Sequence, residues 1–273
     1  MADLIDIARG TRNTRGLKLV SVFGRNSDVD TGTDPEDVTN VGTALFVAPT
    51  QSRLHNIDSS SANDDGTAWA SGSGAHHVWI HGISHTGMMV RERVYLNGTA
   101  NVSTKWQYLH IHKMTAHREL SASLAQNAGN IDATAATDAT VTCRITTDMG
   151  ISHSSVFMVP RGHTAFVTNI YGAVMRNADA DVDFYLFVLP YKQFVWQRQR
   201  FFPARTTGGG TFNYSGAIEV PELATIKLQS ETDADNADVV GGYDVVLRKD
   251  RDAYVAVQDI GNPSRQEIQD LSQ

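Results

Sequence analysis

The feature that most constrains this chain is a pair of short alternating segments set among turn residues. Val78-Trp79-Ile80-His81-Gly82-Ile83 and Val90 to Leu96 repeat apolar residues with the period of a half-buried strand. The first is entered through the polar turn Ser59-Ser60-Ser61-Ala62-Asn63-Asp64-Asp65-Gly66 and through Gly72-Ser73-Gly74-Ala75, and the second closes on Asn97-Gly98. Asn-Gly is the strongest short-range hairpin signal, since both residues tolerate positive φ in a type I′ turn.

The same construction runs down the chain. Leu17 to Phe23 reads as a strand ended by Gly24, and Thr43 to Val47 as one stopped by Pro49. Between them, Arg25 to Asn40 carries five carboxylates without apolar periodicity and is expected to be an exposed loop. Lys105 to Met114 alternates strongly, with Trp106, Tyr108, His110 and His112 on one face and Gln107, Leu109, Ile111 and Lys113 on the other. Ser121 to Ala139 is rich in Ala, Asn, Asp, Thr and Gly, and reads as a long loop with at most a short strand near Asn130-Ile131. Beyond Gly150 further strands are expected at Ser155–Val159, Thr164–Val174, Val182–Leu189, Gln193–Phe202, Phe212–Ile218, Ala224–Leu228 and Tyr243–Leu247. Strands at this spacing without helical periodicity between them favour a sandwich or jelly roll over a parallel α/β sheet. The expected fold is all-β: two β-sandwich or jelly-roll units with an extended N-terminal arm. The expected division is an arm over 1–17, a first sandwich over 18–120, a loop-rich connection over 121–150, a second sandwich over 151–257, and a polar tail over 258–273.

Composition narrows the function. A net charge of −7 argues against nucleic acid, which requires a basic stripe. No apolar run approaches the ~20 residues of a membrane-spanning helix, and Met1-Ala2-Asp3-Leu4 lacks the start of a signal peptide, so a soluble product of a reducing cytoplasm is expected. The single cysteine, Cys143, excludes an intrachain disulfide framework and reads as a buried thiol in an alternating strand.

Candidate chemistry is sparse. His110 and His112, at i and i+2 on one strand face, could share a metal as in cupin-type barrels, or could sit half-buried with hydrogen bonds to backbone. His77 and His81 flank Trp79 on another strand; His117 and Glu119 follow too irregularly to complete the site, and His163 has no fixed geometry. Asp28/Asp30, Asp179/Asp181/Asp183 and Asp233/Asp235/Asp238 offer oxygens for calcium, but none has EF-hand order, and aspartates populate turns by capping their own backbone. Ser154 and His153 lack a nucleophile elbow. No catalytic residue and no cofactor is expected.

Two stretches read as contacts. Phe194-Val195-Trp196-Gln197-Arg198-Gln199-Arg200-Phe201-Phe202 combines aromatic bulk with arginine, the composition of interface centres; Trp196, Arg198, Arg200, Phe201 and Phe202 are its candidates, against the alternative of an ordinary core strand. Residues 1 to 17 carry Arg9, Arg12 and Arg15 and are too short and apolar-poor to fold alone, so they are either a frayed end or an arm docked on a neighbouring subunit.

Several of these stretches together resemble a family of tailed-phage virion proteins found in phages of aquatic bacteria and cyanobacteria. The residues concerned are Ile7-Ala8-Arg9-Gly10, Phe23-Gly24-Arg25-Asn26-Ser27-Asp28-Val29-Asp30-Thr31, the Ser-Ser-Ser-Ala-Asn-Asp turn, Glu92-x-Val94-x-Leu96-Asn97-Gly98-Thr99 and Val159-Pro160-Arg161-Gly162-His163-Thr164-Ala165. The chain departs from the family pattern at Thr39-Asn40-Val41-Gly42, where an aromatic-rich Trp-x-Gly-Gly segment belongs, and at His76, His77 and His81. The resemblance implies a non-enzymatic structural role in a bacteriophage virion, most simply a capsid decoration or cement protein bound to the major capsid lattice. It implies assembly in the host bacterial cytoplasm and a homo-oligomer, with a trimer favoured, whose partners are the major capsid protein or other virion proteins. A tail, baseplate or adaptor component is the alternative within that class, and a cupin-like metalloenzyme using His110 and His112 the alternative outside it.

Overall fold

The computed structural model describes residues 16–32, 35–41, 46–47, 51–67, 72–119, 126–176, 180–193, 195–204 and 210–250. The arm residues Arg9, Arg12 and Arg15, most of the expected strand at Thr43–Val47, and the tail lie outside these. Among the described residues every regular element is a β-strand, so the fold is all-β. No helix there is long and apolar enough to cross a membrane.

One pair of sheets encloses the larger core. The first sheet runs β1 (Leu17–Val29), β16 (Ala237–Lys249), β11 (His163–Arg176) and β14 (Gly210–Val220). The second runs β10 (Phe157–Met158), β15 (Thr225–Thr232), β12 (Val182–Leu189) and β13 (Gln197–Ala204), with β2 (Glu36–Asp37) also paired to β15. All pairings within both are antiparallel. Val22, Val167, Tyr243 and Val245 of one sheet meet Phe184, Leu186, Phe202 and Leu228 of the other. The layers come close because β11 and β16 carry glycine beneath Phe184: a Cβ on Gly172 would lie 2.7 Å from its ring. The buried Tyr243 hydroxyl donates across the core to the carbonyls of Ser155 and Ile226, at 2.9 and 3.1 Å, which offsets its desolvation.

A second pair of sheets encloses a separate core. It consists of β6 (Val102–Ser103), β3 (His55–Ser59), β8 (Ile131–Ala135) and β9 (Val141–Ile145), with β5 (Met89–Tyr95), β4 (His77–Ser84) and β7 (Tyr108–His117). Ile57, Val78, Ile80, Val94, Ile111, Met114, Ile131 and Cys143 fill it. Burial raises the Cys143 thiol to about 11 and keeps it protonated.

The partition of the chain differs from the expected one. β1 and β2 lie in the sheets of the C-terminal half, since Leu17 to Asn26 pairs residue by residue with Arg248 to Val239. The smaller unit is therefore inserted between β2 and β10, and the boundary at 18–120 does not hold. Nor is 121–150 only a connection: β8 lies between β3 and β9, with Ala133 and Ala135 buried at positions that lack side-chain bulk. The expected exposed loop after Gly24 is also corrected. β1 continues to Val29, and Asn26, Val29, Glu36, Asp37, Val38 and Thr39 are buried. Gly24 does not end the strand but lets it pass under its neighbours, where a Cβ would lie 1.9 Å from the Val38 carbonyl.

The residues of the resemblance motifs hold this frame together. Asn26 Nδ2 donates to Glu36 Oε2 at 3.0 Å and its Oδ1 accepts from the Asp28 amide. Asp64, fully buried, accepts from Ser59 Oγ and from the amides of Ala75, Ala128 and Gly129 at 2.6–2.9 Å. Glu92 accepts from the Lys105 and Trp106 amides and from the Tyr108 hydroxyl. The Asn97-Gly98 turn forms one position later than expected: Ala100 N–H donates to Asn97 O, and only Gly98 has positive φ, at 56°. Asn97 thus opens the turn rather than sitting inside it.

Candidate interaction surfaces

Among the described residues β13 is the outermost strand of its sheet and pairs with β12 alone. Its alternation is broken once: Arg200 faces Leu186 and Arg198 faces Phe187, leaving Gln199 as the extra residue of a bulge. The bulge turns Arg198 onto the outer face, where its guanidinium lies 4.3 Å from the Tyr185 ring centre and 5.6 Å from that of Phe187. Phe201 is 6.4 Å from Tyr185 on the same face and remains 63% exposed. Trp196 stands beside Lys227, whose ammonium is 4.5 Å from the indole and 2.8 Å from Asp37 Oδ1. Arg198, Tyr185, Phe187 and Phe201 thus form an aromatic face set around arginine, and Val195 and Tyr191, just before β13, are exposed at 70% and 44%.

Of the contact residues expected from sequence, the structure brings Trp196, Arg198 and Phe201 to this surface. Arg200 donates to the Gln199 carbonyl at 2.8 Å. Phe202 does not belong with them: it is 2% exposed and stacked on Phe184, with ring centres 5.1 Å apart. Next to Phe201 in a strand it must point the other way, into the core.

The histidines of β7 lie where the two units meet. Pairing of β4 to β7 skips Leu109 and His112, and these two irregularities bring Tyr108, Ile111 and Met114 all into the smaller core. Ile111 therefore faces inward, and His110 and His112 point toward the larger unit, 4.9 Å apart between ring centres. His110 Nε2 faces the Val156 carbonyl at 3.2 Å and so carries the proton. His112 stacks on Phe157 at 4.5 Å. Burial holds both imidazoles neutral, His110 at about 4 and His112 well below its ordinary value. Among the described residues no group of three His, Cys, Asp or Glu is placed to hold a metal ion. His77 stacks on His117, and His163 Nδ1 lies 3.0 Å from the Arg161 carbonyl.

Of the acidic candidates, Asp179 lies outside the described residues, and Asp28 and Asp181 are exposed. Asp238 is held by a two-pronged pair with Arg25 at 2.6 and 2.9 Å, while Asp235 and Asp233 cap the amides of Thr31 and Asp181. Ser154 Oγ accepts from the Val156 amide, and His153 packs edge-on against Phe23.

Sequence reasoning missed a cationic row. The outer face of β5, β4 and β7 sets His81 of β4 between Arg91 of β5 and Lys113 of β7, and Trp79 opposite Arg93. Arg91 lies 3.8 Å over the Trp79 ring. Burial first, then Arg91, Lys113 and Lys18, lowers His81 to about 4. These residues fall on three strands, so local pattern carries no sign of the row.

No protein-family model and no curated protein matches the chain. Among solved structures, that of the infectious bursal disease virus Gt strain pairs with 85% of this chain over 72% of its own, at 10% identity and TM-score 0.24. T=1 particles derived from the same virus pair with 88% over 71%, at 10% identity and TM-score 0.26. Superpositions of this quality do not establish a shared fold.

Proposed function

We propose that this protein is a non-enzymatic structural component of a bacteriophage virion, acting as a capsid decoration or cement protein on the major capsid lattice, and that it works as a homo-oligomer, a trimer being favoured. The observation that carries the reading is the patch on β13: Phe201 stands exposed with Arg198 over the Tyr185 ring on an outer strand, a surface suited to a protein partner. The residues that carried the family resemblance support it in a second way. Asn26, Asp64 and Glu92, all from the motifs of that resemblance, each accept a backbone amide inside the frame.

The test is attachment to particles. Phe201→Glu should keep the β spectrum and melting point yet lose binding to virions, and undiminished binding would refute the role given to this face. A chain beginning at Leu17 examines the arm separately: loss of attachment, or attachment that becomes strongly salt-sensitive, supports docking through Arg9, Arg12 and Arg15. Immunogold labelling with copy counting by mass spectrometry decides location. Copies scaling with the capsid lattice place the protein on the head, and copies matching the tail rings favour the tail or adaptor reading. Absence from purified particles would overturn both.

A further inference from the structure

Charge in this chain is separated along β1. At the Lys18 end, a cleft of about 370 Å³ opens between β1 and the smaller unit, lined by Lys18, His81, His112, Lys113 and His153, with no carboxylate among the described residues that line it. That is unusual in a chain with 30 acidic and 23 basic residues. Arg91 extends the row, facing His81 across β4 and β5. Among the described residues none of Lys18, Arg91 and Lys113 forms an ion pair. Asp244, on the strand paired to β1, is taken by Ser21 Oγ and Asn169 Nδ2. Inside the cleft both ring nitrogens of His112 are buried, without a hydrogen-bond partner among the described residues. Arg91 and Lys113 flank the neutral His81 as two cations without a carboxylate partner among the described residues, so carboxylates arriving from outside would find both charges open.

The other end of β1 has the opposite sign. Thr31 N–H meets Asp235, Asn236 N–H meets Asp30, and Asp181 N–H meets Asp233, which gathers the end of β1, the start of β12 and the β15–β16 turn into one acidic pole. Asp28, Asp181, Glu231, Asp233 and Asp235 are all exposed there, and Asp183 faces Glu231 directly across the ladder. Lys18 and Asp28 are ten residues apart on β1, about 33 Å for an extended strand, so one copy cannot bring its own poles together.

We propose that the poles dock on one another between copies of this chain, the acidic end of one seated against Lys18, Arg91 and Lys113 of the next. The contact is head-to-tail, and such a contact closes into a ring or runs on as a filament. This rests on the homo-oligomer proposed above and names the surface that forms it.

Charge reversal of each pole tests it. Lys18→Glu/Lys113→Glu gives a chain acidic at both ends, and Asp28→Lys/Asp181→Lys gives one basic at both ends; all four residues are exposed. Sedimentation velocity of the full chain should show association at about 50 mM salt that weakens toward about 500 mM. Each double variant alone should associate about tenfold more weakly or worse. An equimolar mixture of the two should regain association, because each reversed pole then meets its complement. Circular dichroism of each variant verifies folding, and Lys18→Gln/Lys113→Gln repeats the test without adding charge. Wild-type oligomers unaffected by either reversal would overturn the docking mode and leave the homo-oligomer standing. A strictly monomeric wild type in solution and on the particle would overturn both, and a mixture that fails to associate would refute pole-to-pole pairing.

Discussion

Replacing Asp64 by alanine should be the most damaging single change in the smaller unit. Its carboxylate is fully buried and joins three separate pieces of chain: Ser59 Oγ at 2.6 Å, the Ala75 amide at 2.7 Å, and the Ala128 and Gly129 amides at 2.8 and 2.9 Å. Hydrogen bonds to a charged group contribute ~1.5–3 kcal/mol each, and a buried donor left without its acceptor costs ~1–3 kcal/mol. Four such contacts would exceed 6 kcal/mol if additive. They share one carboxylate and are not additive, and water entering the vacated space recovers part of the loss, so about 3–5 kcal/mol is expected. Asp64→Asn keeps the volume but aims an amide donor at groups that are themselves donors, and should lose about 2–3 kcal/mol. Gly74 gives an independent reading of the same knot, since a Cβ there would lie 2.1 Å from Asp64 Oδ1. The assay is urea unfolding followed by fluorescence, with Trp79 and Trp106 reporting the smaller unit. A shift in the Asp64→Ala midpoint worth less than ~1 kcal/mol would show that the carboxylate is not the knot of this turn.

Three further outcomes are expected. Phe202→Ala should lower stability by about 3–5 kcal/mol by opening a cavity against Phe184, while Phe201→Ala on the outer face should change it by less than ~1 kcal/mol, both read by denaturant titration. His110 titrates at about 4 in the fold and near 6.5 when unfolded. The unfolded chain therefore binds more protons between these values, and stability should fall as pH drops from about 6.5 toward 4, by about 2 kcal/mol at pH 5 from this residue alone. His110→Gln should flatten that slope, and an unchanged profile would count against the buried neutral imidazole. Lys227→Met should cost about 3–5 kcal/mol by leaving Asp37 buried and unpaired, whereas Lys227→Met/Asp37→Leu should recover most of it in thermal melts.

The sequence by itself determined that the chain is built of strands, and where most of them lie. Alternation at Val78–Ile83, Val90–Leu96 and Val182–Leu189 is a local property, because successive side chains on a strand face opposite ways whatever the strand pairs with. It also determined that Cys143 sits within an alternating strand and that Phe201 and Arg198 belong to a segment of interface composition. Tertiary structure decided what pairing decides. β1 finds its partner in β16, at the opposite end of the described chain, and no local pattern names a partner at that range. β8 is an inner strand of alanine and threonine because its neighbours supply the bulk, so composition made it look like loop. The irregularities at Leu109 and His112 reversed the expected face of Ile111 and carried His110 and His112 to the meeting of the two units. Phe202 was separated from Phe201 by the pleat, once the sheet had fixed which face was core. The cationic row and the acidic pole each draw on several strands or turns that are distant in sequence. Electrostatic juxtaposition exists only after those strands are laid side by side, which is why the row along Arg91, His81 and Lys113 is visible in the fold and silent in the chain.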